Sequence, residues 1–85
     1  MRHLYTVICE YGGGTYIAQL RATSPRTAVS RWLDAIVPDL LLKGKILEDL
    51  RSEAPVGIEG CRNVWCCSGV SRKGLVLINI IRTDS

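Results

Sequence analysis

SPRTAVSRWLDAI, residues 24–36, is the stretch with a readable start, apolar face and stop, and the rest of the chain is best understood as packing on it. Ser24 can accept a hydrogen bond from the unpaired N–H groups of a first helical turn, and Pro25 stands where a missing N–H costs nothing. Ala28, Val29, Trp32, Leu33 and Ile36 then line one side of a helical period, with Arg26, Thr27, Ser30, Arg31 and Asp34 on the other. Trp32, in the middle of the apolar stripe, reads as a core residue. Pro38 biases Val37 towards an extended conformation, so the helix is expected to end near Ile36 or Val37.

Upstream, Leu4 to Glu10 reads as a strand rich in β-branched and aromatic residues, with Tyr5, Val7, Cys9 and Tyr11 on its core face. Gly12, Gly13 and Gly14 supply a tight reversal into a second strand, Thr15 to Ala22. There Tyr16, Ala18, Leu20 and Ala22 alternate with Thr15, Ile17, Gln19 and Arg21. A glycine triplet can also cradle phosphate, but that use places it before a helix, and this one joins two strands.

Downstream, Ile46, Leu47 and Leu50 lie at helical spacing and predict a short helix around Lys45 to Ser52, followed by a loop marked by Pro55 and Gly57. Asn63 to Val70 and Leu75 to Arg82 read as a second hairpin, joined by a type I turn over Ser71–Gly74. In the last strand Leu75, Leu77 and Ile81 point one way with Asn79 among them, and Val76, Ile78 and Ile80 point the other. A strand apolar on both faces belongs in the middle of a sheet. The chain's own helices can cover one face, so the other is expected to meet a second copy or another protein, with Ile8 and Ile17 adding to it.

The chain has 85 residues, enough for one domain with a thin core, and 47% of them are hydrophobic, a high share for a domain that must leave much of its length at the surface. A net charge of +3 permits contact with nucleic acid without arguing for it. No run is long enough to span a bilayer, and the N-terminus lacks the pattern of a secretion signal, so the cytoplasm is the expected compartment and the four cysteines are expected to be thiols.

Cys9, Cys61, Cys66 and Cys67 do not follow the C-x2-C spacing of structural zinc sites, and the Cys66–Cys67 pair on a strand directs its thiols to opposite faces. Core packing is the expected role for these cysteines. His3, the sole histidine, has no acidic or cysteine neighbour at motif spacing and reads as exposed, and no serine has a nucleophile-elbow context. No catalytic residue, metal site or cofactor is expected. Arg26 and Arg31 on the helix and Arg72 and Lys73 at the hairpin tip are the basic residues best placed to meet phosphates.

Residues 5–36 resemble the N-terminal half of HicB-type antitoxin domains, through Tyr5, Val7, Glu10, Gly13, Tyr16, Ala18, Leu20, Ala28, Val29 and Ile36. The chain departs from that family's pattern in running from Ala22 straight into Ser24 and in ending on a hydrophobic strand. The resemblance implies a small sheet with a helix on one face that oligomerises and binds a protein or RNA, and it assigns no site residue.

The expected fold is α+β over residues 1–85. It is a two-layer sandwich in which an antiparallel four-stranded sheet carries one main helix and a short second one, ββα(α)ββ. The expected function is a small non-enzymatic interaction module that forms a homodimer, or binds another protein, through Ile8, Ile17, Leu75, Leu77 and Ile81. The alternative is a nucleic-acid-binding or antitoxin-like regulator using Arg26, Arg31, Arg72 and Lys73. No membrane contact is expected.

Overall fold

The computed structural model describes residues 2–40, 45–71 and 74–84, and over 36–40 the backbone alone. β1 (His3–Tyr11) and β2 (Gly14–Ala22) lead into α1 (Pro25–Leu40) and α2 (Lys45–Ser52), followed by β3 (Val56–Gly57), β4 (Val64–Ser71) and β5 (Gly74–Arg82). All strand pairs are antiparallel, in the order β2-β1-β5-β4-β3. The last strand in sequence is therefore the middle strand in space.

The α+β class holds, but the four-stranded sheet with one main helix is corrected, among the described residues, to five strands and two helices. The extra strand is β3, which pairs Val56 with Cys66 and Gly57 with Trp65. Its two residues lie just after Pro55, and so short a segment shows no alternation to set against the turn signals of Pro55 and Gly57. The second helix is a full part of the core, because Ile46 and Leu50 are buried against β4.

Local chemistry explains the element starts. Ser24 Oγ accepts the Thr27 N–H at 3.1 Å, and its carbonyl accepts the Ala28 N–H at 2.9 Å, which satisfies the first turn of α1. Gly12 and Gly13 both have positive φ, 58° and 82°, the pairing that a two-residue hairpin of matching twist requires. The expected stop of α1 at Ile36 or Val37 is corrected, since the helix runs through Pro38 to Leu40. Pro38 lies near the C-terminal end, where a missing N–H removes one bond from a helix about to finish. The Ile36 side chain lies outside the described residues, as does the turn geometry at Arg72 and Lys73.

Both helices cover one face of the sheet. α1 lies over β2 and β1 and reaches β5, while α2 lies on β4. Between them and the sheet sit Tyr5, Val7, Cys9, Ala22, Ala28, Val29, Trp32, Leu33, Leu50, Cys67, Val76, Ile78 and Ile80. Trp32 is wholly buried, and among the described residues its indole N–H has no acceptor, a cost set against its large apolar contribution. α2 approaches the sheet at Gly69, where a Cβ would meet the Ile46 and Leu50 side chains. Arg51 on α2 donates to Asp34 at 2.5 Å and to Ser30 at 3.1 Å on α1, an exposed link between the helices.

The chain ends are joined. The Thr83 N–H donates to the Leu4 carbonyl at 2.8 Å, and Asp84 lies 3.5 Å from His3 Nδ1 and 3.4 Å from Arg82 Nε. The expectation of an exposed His3 is corrected to a half-buried residue, because β1 begins at His3 and the chain end runs beside it. Among the described residues no helix is long and apolar enough to cross a membrane.

Candidate interaction surface

Alternation along the strands places every second residue on the face away from the helices. β1 contributes Leu4, Thr6, Ile8 and Glu10 to this outer face, and β2 contributes Thr15, Ile17, Gln19 and Arg21. β5 contributes Leu75, Leu77, Asn79 and Ile81, β4 contributes Val64, Cys66, Ser68 and Val70, and β3 contributes Val56. Neither helix lies on this side.

All five expected interface residues, Ile8, Ile17, Leu75, Leu77 and Ile81, share this face. Ile17 and Leu75 are 65% and 58% exposed, and Ile8, Leu77 and Ile81 are half-buried by their neighbours. Val70 and Val56, 77% and 64% exposed, extend the patch, with Leu4, Val64 and Cys66 half-buried beside them. The alternation Val64-x-Cys66-x-Ser68-x-Val70 was a usable signal for the β4 members, whereas Val56 needed the pairing of β3. As the middle strand β5 has no free edge, so it can offer a partner only its side chains.

The strand register builds one row straight across the sheet: Ile17, Ile8, Asn79, Cys66 and Val56. Polar groups at the β2 end of the face are already joined to one another. Gln19 Nε2 donates to Thr6 Oγ1 at 3.0 Å, Thr6 Oγ1 to Thr83 Oγ1 at 3.2 Å, and Thr83 Oγ1 to the Leu4 carbonyl at 3.3 Å. At the β1–β2 turn an open depression of about 360 Å³, lined by Glu10, Tyr11, Gly12, Gly13, Gly14, Thr15, Leu75 and Leu77, borders the patch.

The basic candidates lie elsewhere. Arg26 and Arg31 are exposed on α1, and each donates to a backbone carbonyl at 3.4 Å, Arg26 to Ser52 and Arg31 to Arg21. Arg72 and Lys73 lie outside the described residues. The cysteines divide by place. Cys9 and Cys67 are buried on the inner face, where burial pushes each thiol up to about 11, while Cys66 is half-buried on the outer face. Core packing as the role of all four is corrected for Cys61, which is exposed in the loop before β4, and for Cys66, which is on the face away from the core. Among the described residues no group of His, Cys, Asp and Glu is placed to hold a metal ion.

Comparison of the chain with protein-family models, with curated proteins and with solved structures finds no match. The likeness of residues 5–36 to HicB-type domains rests on those residues alone.

Proposed function

We propose that the protein is a non-enzymatic interaction module that forms a homodimer by packing the outer faces of two sheets together. The observation that carries this reading is the group of exposed and half-buried apolar side chains, Ile17, Ile8, Leu77, Leu75, Val70 and Val56, on the side of the sheet away from α1 and α2. Four strands about 4.8 Å apart, with six or seven paired residues at about 3.3 Å each, present roughly 400 Å² in projection. Two such faces cover about 800 Å² together, near the low end of specific interfaces, a size that suits a dimer whose population depends on concentration. The setting is the cytoplasm, where Cys61 and Cys66 stay as thiols. Sedimentation velocity over a hundredfold concentration range tests the reading. A dimer is expected for the wild type and a folded monomer for Leu77→Lys; a wild type that stays monomeric throughout overturns it.

A second reading, an antitoxin-like regulator that also contacts nucleic acid, is favoured by Arg26 and Arg31. Both project from α1, on the far side of the sheet from the apolar face, so a face-to-face dimer leaves them exposed. Binding to mixed RNA or DNA that weakens steeply with salt supports this reading, and salt-independent or absent binding removes it.

A further inference from the structure

We infer that the two-fold axis of the dimer passes Asn79, whose amide pairs with its own copy and sets the register of the two faces. This rests on the homodimer reading above and adds its geometry. Asn79 occupies the middle of the outer face in both directions. Along β5 it stands between Leu77 and Ile81, and across the sheet it stands between Ile8 and Cys66. Each of those four direct neighbours is apolar or a thiol, and the polar residues nearest to it, Thr6, Glu10 and Ser68, stand diagonally on the adjoining strands. Among the described residues it makes no side-chain hydrogen bond.

A covered amide without partners is costly, so something on the opposing face must meet it. On a second copy, Gln19, Thr6 and Thr83 are already linked and lie towards one end, and Glu10 and Ser68 are each displaced by one pleat along β1 and β4. The group left at the centre of the opposing face is the other Asn79. An amide carries both donors and an acceptor, so two amides related by a two-fold close a pair of N–H···O bonds with no third group. In an isologous contact a residue meets its own copy only where the axis passes it. For stacked sheets that axis lies in the plane between them, and the centre of the patch is where it buries the most surface. The apolar side chains alone would allow the sheets to slip by a pleat. The amide pair allows one alignment, as a single polar residue does in a coiled-coil seam.

The test is charge exchange at this one position, read by sedimentation velocity, with circular dichroism to confirm folding and the wild type run in parallel. Asn79→Asp alone and Asn79→Lys alone should each weaken the dimer by more than about 100-fold, because each would bury two like charges face to face. An equimolar mixture should recover affinity to within about tenfold of the wild type, with native mass spectrometry showing the mixed pair as the dimer. A mixture as weak as its components, beside a dimeric wild type, overturns the axis at Asn79 and leaves the module reading standing. A monomeric wild type removes that reading and this one with it. If either charge prevents folding, Asn79→Cys in a Cys61→Ser, Cys66→Ser background replaces it. A short bis-maleimide, which spans the separation of two paired amides where a disulfide would be too short, should then yield a covalent dimer, and a non-covalent dimer that fails to cross-link overturns the inference.

Discussion

On the inner face of the sheet Val7, Val76, Ile78 and Ile80 are wholly withdrawn from water, while on the outer face Val70 and Ile17 remain 77% and 65% exposed. The valines and isoleucines of the two faces are alike in hydrophobicity, although the outer face also carries Thr6, Glu10, Thr15, Gln19, Arg21, Ser68 and Asn79. What separates them is cover, since both helices lie on one side. Hydrophobic side chains become a core only when a second layer meets them, and burying a Leu or Ile fully is worth about 1.5–3 kcal/mol. The outer face therefore holds apolar surface whose burial by a covering layer would add stabilisation.

The sharpest way to break this contrast is to damage the cover of the inner face. Trp32→Ala should lower unfolding free energy by about 3–5 kcal/mol in urea titrations, whereas Val70→Ala on the outer face of the monomer should change it by under about 1 kcal/mol. Equal costs at the two positions would end the distinction.

A second probe is alkaline pH. The Cys9 and Cys67 thiols are raised from 9.0 to about 11, chiefly by burial, so the folded chain keeps protons that the unfolded chain releases. Stability is thus fully present below pH 9 and falls as pH rises towards 11, each thiol contributing on the order of 2 kcal/mol. Tyr5, raised by burial against the opposing pull of Arg82, adds in the same sense. Urea midpoints at pH 8 and 10.5 should differ less in Cys67→Ala than in the wild type, and an unchanged difference would argue against a buried Cys67.

The smallest contrast between the two faces is expected at Gly69 and Ser68. A methyl group there meets the flexible end of Ile46, so Gly69→Ala should cost about 1 kcal/mol, while Ser68→Ala on the opposite face should cost almost nothing. Thermal melts of the two variants make the comparison.

Much of this architecture is legible in the chain itself. The faces of β1, β2 and β5 follow from strict alternation, and the start of α1 follows from Ser24 and Pro25, because those signals are local. The features that escaped are those fixed by distant partners. β3 exists because Val56 lies beside Cys66, His3 is half-buried because Asp84 returns to it, and α1 passes Pro38 although the residue before a proline disfavours helix. Five residues of the candidate surface were readable from their own strands. The central place of Asn79 was not, since the row from Ile17 to Val56 depends on register across five strands.

The seam between β1 and β5 has a consequence for the time course of folding. Each hairpin can close over its own short turn, and α1 can form from its own cap, but the strands at the centre of the sheet come from opposite ends of the chain. Thr6 and Thr83, linked across this seam, are 77 positions apart. Closing so long a loop is entropically costly before any contact rewards it, and a fold held at its centre by such a pairing forms more slowly than one built from local contacts. Substitutions at Val7 and Ile80, which face each other across the seam, should therefore act on the folding rate if docking of the hairpins limits it, and on the unfolding rate if the seam closes after the barrier.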